Sequence, residues 1–326
     1  MTHLEASNGS VQRKRPTKPS TITLSFDVFV RRFCWTSLVV TVAASCGPSR
    51  PKFAGTAEGF STPESVIYDA ELDMFFVSNI NGGPNFKDNN GFISLVNPFG
   101  RVVNLNFITG GQGFVTLDAP KGMAILGDTL WVTDIDALRA FNKRTGQPIA
   151  SLDFTVFNAQ FLNDIAAGPD GALYITDTGI KIAPGSTTHP GPDRIFRVAP
   201  DRAITVALEG DTLGRPNGIT WDARNSRFLI VPFGKPTILA WKPGDAAPTV
   251  VATGPGGYDG VEFTDGRRAL ISSWTDSSLY LLEPDGTLSR YLSGLPSPAD
   301  IGYDTKRNRV AVPLFSANRV EIWEAR

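Results

Sequence analysis

The sequence predicts an all-β protein, and composition is the first reason. The 326 residues include 32 glycines, 24 prolines and 21 phenylalanines, a mixture typical of many short strands joined by tight turns. The net charge of −1 excludes the strongly basic surface of a nucleic-acid-binding protein. Two histidines and two cysteines are too few for a His-rich zinc site, a paired-histidine mechanism or a disulfide framework.

A repeated pattern is the second reason for the all-β prediction. A polar residue, an apolar strand, a turn and a second apolar strand occur six times, with spacings from Glu64 of 57, 42, 54, 42 and 41 residues. About 42 residues suffice for a four-stranded blade, so the two longer spacings are explained by insertions at residues 80–90 and 179–193. The sequence therefore predicts a six-bladed β-propeller over residues 53–326. The copies begin at Pro63-Glu64-Ser65, Pro120-Lys121-Gly122, Leu162-Asn163-Asp164, Pro216-Asn217-Gly218, Tyr258-Asp259-Gly260 and Ala299-Asp300-Ile301.

Residues 1–45 are interpreted as an export leader, and residues 46–52 as a linker. Basic residues precede an apolar run at residues 33–44, which is too short to span a bilayer but fits the central region of a signal peptide. Small residues then lead to Cys46, as in a bacterial lipoprotein. We expect a protein of the bacterial envelope, either periplasmic or anchored through a lipid on Cys46. Cleavage near Cys46 is the alternative to lipid attachment, and a buried apolar strand with an incidental cysteine is the alternative to an export leader.

The ends of the propeller predict how it closes. The fifth copy shows four strands, at residues 260–263, 268–272, 278–282 and 287–292, whereas the sixth shows three, at residues 301–303, 310–314 and 320–323. A blade of three strands would leave an exposed edge. Residues 53–57 are therefore expected to supply the outer strand of the last blade.

The polar residue that opens each copy is expected to lie beside the central channel, because all the innermost strands begin on the same face. Three carboxylates and one ammonium give these six positions a net charge of −2, which is costly in a narrow channel unless a cation binds. Oxygen donors suit a hard ion, and Ca²⁺ fits best, with another divalent cation as the alternative. Asn and Asp also cap turns, which is the competing explanation. We name these residues the anchor ring: Glu64, Lys121, Asn163, Asn217, Asp259 and Asp300.

Six copies with this ring resemble the senescence marker protein/gluconolactonase family, which includes luciferin-regenerating enzymes and is distantly similar to the paraoxonases. The resemblance covers residues 53–326. It implies a metal held by a glutamate of the first blade, asparagines of two middle blades and an aspartate of a later one. The implied ligands are Glu64, Asn163, Asn217 and Asp259.

Three positions depart from the paraoxonase pattern. Paraoxonases transfer protons through histidines, whereas His189, the one histidine after the leader, is predicted to be a solvated loop residue without a partner carboxylate. Ser65 stands where an acidic residue would help to bind a second calcium. Lys121 adds an ammonium, which is expected to neutralise Asp300, to position a substrate carboxylate or to replace part of the role of the metal, with the first favoured.

The second strand of each blade is expected to return to the same face, where its last residues would form an outer ring around the mouth. This ring is polar on one side and aromatic on the other, as suits an amphipathic small molecule; packing of the aromatics between blades is the alternative. Both insertions leave from this edge and are expected to cover the mouth. The predicted substrate-binding residues are Lys121 together with the outer ring, Asn79, Asp134, Asp177, Phe233, Trp274 and Phe315.

The favoured function is that of a Ca²⁺-dependent hydrolase, a lactonase or esterase acting on a small cyclic ester whose carbonyl the metal polarises. Without a suitable histidine, proton transfer is expected to fall to Asp259, to Asp300 or to a water molecule bound to the metal. The alternative is a non-enzymatic binding or scaffold propeller of the NHL type, with a structural metal ion. The expected partner is a small molecule and not a nucleic acid, a lipid anchor is the one expected membrane contact, and the protein is expected to be a monomer.

Overall fold

The structure, a computed structural model, describes residues 51–264 and 267–325. The predicted leader and the lipid attachment at Cys46 lie outside these residues and stay predictions. In the described part of the chain, no helix is long and apolar enough to cross a membrane.

Six antiparallel four-stranded sheets form the six blades of a β-propeller, which confirms the predicted fold. Strands of the first three blades are β2 Pro63–Asp69, β3 Met74–Asn79, β4 Phe92–Val96 and β5 Val102–Thr109; β6 Pro120–Leu126, β7 Thr129–Asp134, β8 Ala137–Asn142 and β9 Pro148–Asp153; β10 Leu162–Ala167, β11 Leu173–Asp177, β14 Arg194–Val198 and β15 Ile204–Glu209. Strands of the last three are β16 Pro216–Asp222, β17 Arg227–Pro232, β18 Thr237–Trp241 and β19 Thr249–Thr253; β20 Tyr258–Phe263, β21 Ala269–Ser273, β22 Ser278–Leu282 and β23 Leu288–Ser293; β24 Gly302–Asp304, β25 Arg309–Leu314, β26 Arg319–Glu324 and β1 Lys52–Glu58.

Burial follows the position of a strand within its blade. Inner strands are buried on both faces because a blade packs on each side of them, and β11 is buried throughout. Outer strands alternate instead, as in β9, where the half-buried Ala150 and Leu152 alternate with exposed residues. Large side chains fill the space between blades: Tyr174 of the third blade packs on Phe228 of the fourth, with ring centroids 4.5 Å apart.

The N-terminal strand closes the ring of blades, as the sequence predicts. β1 pairs antiparallel with β26 from Lys52↔Glu324 to Glu58↔Arg319 and is the outermost strand of the sixth blade. Ala57 is buried in the apolar layer between the last blade and the first. Since the first and last segments of the propeller share one sheet, β26 has no exposed edge.

Both insertions follow the second strand of their blades, on the same edge. The longer one carries a hairpin formed by β12 Lys181–Ala183 and β13 Ser186–Thr188. The two insertions meet, because the Ile182 backbone N–H donates a 2.7 Å hydrogen bond to the Asn85 side-chain oxygen. Three single-turn 3-10 helices complete the described elements: Thr155–Phe157, Asp211–Leu213 and Phe315–Ala317.

Candidate metal centre

The side chains at the channel are positioned by a β-bulge that recurs at the start of the innermost strands. In the fifth blade, Tyr258 pairs with Ser273 and Val261 pairs with Ile271, so two residues lie opposite one. The same shift occurs in the first four blades. Such a bulge bends the strand and re-aims a side chain. In each of these five bulges, the first of the two residues that lie opposite one is an anchor residue: Glu64, Lys121, Asn163, Asn217 and Asp259.

The register of the sixth blade corrects the predicted anchor ring. Pro298 pairs with Leu314 as Tyr258 pairs with Ser273, which puts Ala299 at the anchor position and Asp300 one residue further along. The same conclusion follows from sterics, because a Cβ built on Gly260 would lie 2.6 Å from the Cα of Asp300. In the equivalent pair of the second and third blades, a Cβ on Gly122 would lie 2.5 Å from the Cα of Asp164. Asp300 is therefore the counterpart of Asp164 and not of Asp259.

A cavity of about 200 Å³ opens beside the anchor ring. Its wall contains all four implied metal ligands and, from the two insertions, residues that include Pro84 and Ile182. The structure thus brings together four residues that the sequence separates by up to 195 positions. The lining residues are Glu64, Ile80, Pro84, Phe161, Asn163, Thr178, Ile180, Ile182, Thr187, Arg215, Asn217, Phe233, Asp259, Trp274 and Phe315.

The four side chains fit a hard cation. Glu64 Oε2 and Asp259 Oδ1 are buried and have no hydrogen-bond partner. The amide nitrogen of Asn163 donates to Thr178 Oγ1 at 3.1 Å, and that of Asn217 donates to a backbone oxygen at 3.5 Å, so each amide oxygen remains for a cation. Unpaired buried carboxylate oxygens are costly, and a bound divalent ion would compensate them.

The electrostatics of the site agree with this fit. Burial, the negative charge of Asp259 and then that of Asp300 raise the pKa of Glu64 well above its usual range. Burial and the charge of Asp300 likewise raise the pKa of Asp259. These shifts arise in the protein without a cation, where two buried carboxylates repel each other. In the described residues no three His, Cys, Asp or Glu side chains cluster as a metal site, so any cation here depends on the two carboxamides as well.

The charge that acts most strongly on Lys121 is that of Glu64 and not, as the sequence favoured, that of Asp300. Burial lowers the pKa of Lys121 to about 8, and the nearby charge of Glu64 is the largest effect that opposes this. The Lys121 ammonium donates to the backbone oxygen of Ala119 at 3.0 Å and lies 4.3 Å from the centre of the Phe161 ring. Lys121 is fully buried behind Phe161 and does not line the cavity, so it contributes charge to the site without touching its contents.

Asp300 belongs to a second group of carboxyls, which does not line the cavity. Burial raises its pKa to about 7, and Ser65 Oγ donates to it at 2.6 Å. Burial, and then the charge of Asp300, raise the pKa of Asp164 and bring that of Glu262 to about 8. None of these three carboxyls is in the cavity wall, so the position of Asp300 does not favour direct proton transfer to a bound substrate.

We expect Asp300→Asn to keep calcium binding, because Asp300 does not line the cavity and an amide can still accept the Ser65 hydrogen bond. The variant should also unfold at a temperature equal to or above that of the wild-type protein, because it removes a buried carboxyl that has no cation partner. Calorimetric titration with calcium and a melting curve measure both properties. Loss of calcium binding in a folded variant would return Asp300 to the ligand set.

The aromatic half of the predicted outer ring lies in the cavity wall, but the polar half does not. Phe233, Trp274 and Phe315 come one residue after the paired residues that end their strands, whereas Asn79 and Asp177 are themselves the paired residues. A shift of one residue turns a side chain to the opposite face of a strand. In the first and third blades the cavity position therefore falls on the next residues, which are Ile80 and Thr178.

The three polar residues hold loops in place. Asn79 accepts the backbone N–H of Ser61, Asp134 accepts that of Ala119 at 2.8 Å, and Asp177 accepts that of Phe161 at 2.9 Å. All three are buried, and two also pair with arginines. Their placement assigns them to the scaffold, since a buried polar side chain that already accepts backbone donors has little capacity left for a ligand.

His189 has a partner that the sequence did not reveal. Its Nε2 lies 2.8 Å from Oδ1 of the buried Asp193, whose other oxygen accepts the backbone N–H of Arg215 at 2.7 Å. Asp193 thus joins the end of the longer insertion to the loop before the fourth blade. His189 itself is outside the cavity wall, in agreement with its prediction as a loop residue.

Comparison with known proteins finds similar chains and similar structures. Diisopropyl-fluorophosphatase of Loligo vulgaris is 22% identical over 296 residues, which are 83% of this chain and 91% of that protein. The structure of a gluconolactonase from Xanthomonas campestris superposes with a TM-score of 0.60 at 13% identity, covering 85% of this chain and 95% of the other. For a luciferin-regenerating enzyme the TM-score is 0.63 at 12% identity, covering 85% and 94%. These structures support the fold.

The sequence model of the SMP-30/Gluconolactonase/LRE-like region matches residues 98–293, which are more than half of the chain. This segment contains Asn163, Asn217 and Asp259, while Glu64 is contributed by the first blade. With a propeller of six blades and this match, the protein belongs to the SMP-30/gluconolactonase/LRE-like family.

Proposed function

We propose that the protein is a Ca²⁺-dependent hydrolase that opens small cyclic esters in the cavity at the anchor ring. The observation that carries this proposal is the pair of unpartnered buried oxygens, Glu64 Oε2 and Asp259 Oδ1, in the wall of an otherwise largely apolar cavity. An apolar cavity with a few convergent polar groups is the usual form of a small-molecule site. Membership of a gluconolactonase-like family and similarity to diisopropyl-fluorophosphatase support hydrolysis as the reaction class.

The cation would be held by Glu64, Asn163, Asn217 and Asp259. When bound, it would supply Lewis-acid polarisation of the ester carbonyl. The chain contributes the rest of the site: the insertions supply part of the cavity wall, while Phe233, Trp274 and Phe315 provide apolar contacts. Trp274 packs between the other two rings, with centroids 5.7 Å and 5.2 Å away, which keeps this aromatic wall in place.

Asp259 is the residue we assign to proton transfer. Glu64 and Asp259 are the two carboxylates among the lining residues, and a carboxylate has two oxygens, so Asp259 can contact the cation through one and accept a proton through the other. In the balanced reaction, water adds its oxygen to the ester carbon and gives a proton to Asp259. The ring C–O bond then breaks, and the leaving oxygen takes that proton to give a hydroxy acid.

The test is hydrolysis of a panel of aliphatic, aromatic and sugar lactones by the purified protein, with calcium, with EDTA, and with calcium restored after EDTA. We expect hydrolysis of at least one lactone, its loss with EDTA and its recovery with calcium. Phe114→Ala is a suitable control, because this side chain is 97% exposed and outside the cavity wall, so its activity should match the wild type. Calcium binding without hydrolysis of any ester would contradict the proposal and favour a binding propeller with a structural ion.

A further inference from the structure

Arg215 is the one cationic side chain among the residues that line the cavity. It is exposed, and in the described residues its guanidinium makes no ion pair or side-chain hydrogen bond. Two other cations have partners: Arg194, at the start of β14, pairs with Asp177 at 2.7 Å, and Lys87, in the first insertion, pairs with Asp136 at 2.5 Å. A guanidinium left without a partner beside a ligand cavity is available to an anion.

The backbone of Arg215 is held on both sides, which fixes the start of its side chain. Its N–H donates to Asp193 at 2.7 Å, and its carbonyl accepts the N–H of Phe233 at 2.9 Å. The aliphatic part of the side chain lies over Gly234, where an added Cβ would be 3.0 Å from Arg215 Cδ. This placement leaves the Arg215 side chain in the cavity wall without the need for an ordering contact from another side chain.

The charges of the cavity wall leave Arg215 uncompensated. Glu64 and Asp259 are the two anions of the lining, and a divalent cation at the anchor ring would neutralise both. The wall would then carry the single positive charge of Arg215. Because the other lining side chains away from the anchor ring are mainly apolar, a complementary ligand combines an apolar body with one negative charge.

We propose that the substrate is an ester with an apolar body and a carboxylate, and that Arg215 binds this carboxylate and so determines substrate specificity. That the bound molecule is a substrate rests on the proposed function, whereas the binding of a carboxylate by Arg215 does not depend on it. Arg215 acts on the part of the substrate that does not react. Its contribution therefore belongs to substrate binding and is expected in KM more than in kcat.

The experiment uses two matched pairs of compounds. One pair is a γ-butyrolactone carrying a para-carboxyphenyl group and the same lactone with a para-carbamoylphenyl group, compared by kcat/KM. The other is phenylpropionate and phenylpropionamide, which are not hydrolysed as esters, compared by calorimetric titration in the presence of calcium. The variant is Arg215→Met, which keeps a side chain of similar length over Gly234, and Arg101→Met is the control at an exposed arginine outside the cavity wall.

We expect the wild-type protein to prefer the carboxylate of each pair by about tenfold. This factor is at the lower end of the effect expected of a charge-assisted hydrogen bond, because Arg215 is exposed to solvent. Arg215→Met should bring the ratio within each pair close to one, Arg215→Lys should keep part of it, and Arg101→Met should keep all of it. A wild-type protein without this preference, or a preference that persists in Arg215→Met, would overturn the proposal. If neither lactone is hydrolysed but phenylpropionate still binds through Arg215, the proposed reaction fails while the carboxylate site stands.

Discussion

Removal of residues 1–59 is expected to destroy the stable fold, whereas removal of residues 1–50 is expected to preserve it. The longer deletion takes away β1 and exposes the whole hydrogen-bonding edge of β26. It also removes Ala57 from the apolar layer between the first and last blades. At about 1 kcal/mol for each net hydrogen bond, the six paired positions contribute roughly as much as the 5–15 kcal/mol by which a domain is stable.

Circular dichroism melting and size-exclusion chromatography of the two truncations measure this effect. We expect a cooperative transition and a single soluble species for the protein that begins at Pro51, and aggregation for the one that begins at Phe60. A truncation removes many contacts at once, so a pair of point mutants tests the strand in the full-length protein. Ala57→Asp places a charge at a position that is 2% exposed, while Lys52→Asp changes an exposed position of the same strand. Equal melting temperatures for the two truncations, or for the two point mutants, would show that β1 does not hold the propeller closed.

Asp259→Ala is expected to abolish both calcium binding and hydrolysis. The change removes one of the two carboxylates that would hold the cation and the group assigned to proton transfer. In the wild-type protein, calcium at a hundred times its Kd should add about 2.7 kcal/mol to the free energy of unfolding, or roughly 5 °C in Tm. The variant should not respond to calcium. Without calcium it should be at least as stable as the wild type, because the buried charge that raises the pKa of Glu64 is gone.

Two further variants separate the roles of Asp259. Asp259→Asn keeps an oxygen for the cation but cannot accept a proton, so kcat should fall by about 10²–10⁴-fold even where calcium is saturating. Asn217→Ala should weaken calcium binding, and activity should return in part at high calcium concentration. Calcium titration by calorimetry and initial rates over a range of calcium concentrations distinguish a loss of proton transfer from a loss of calcium affinity. A calcium-dependent rise of Tm in Asp259→Ala equal to that of the wild type would contradict the assignment of the ligands.

The architecture was readable from the sequence because it depends on features that repeat. A polar residue before an apolar strand recurs six times, and the last copy lacks its fourth strand, so the number of blades and the role of β1 follow without long-range information. The four implied ligands line a single cavity for the same reason, since equivalent bulges hold Glu64, Asn163, Asn217 and Asp259. The two insertions were also located from the spacing of the copies, and both contribute to the cavity wall.

The details that the sequence did not predict are those that change with a single residue of register. Asp300 looks like an anchor residue in the chain, but the pairing of Pro298 with Leu314 puts Ala299 there instead. Likewise, Asp177 ends its strand, and only the pairing of strands shows that the next residue, Thr178, faces the cavity. Neighbouring residues of a strand point to opposite faces, so a similarity in type between two copies does not determine which face a side chain occupies.

Besides the register of the strands, the contacts between distant segments were known only from the tertiary structure. The sequence determined the six copies, the closure of the propeller by β1 and the kinds of side chain at the channel. Folding decided that Asp193 holds both His189 and the backbone of Arg215, and that Arg215 lies in the cavity wall without an anionic partner among the described residues. The physical reason is that such contacts join residues from different blades and loops, and nothing in the local pattern of a loop encodes which other loop it meets.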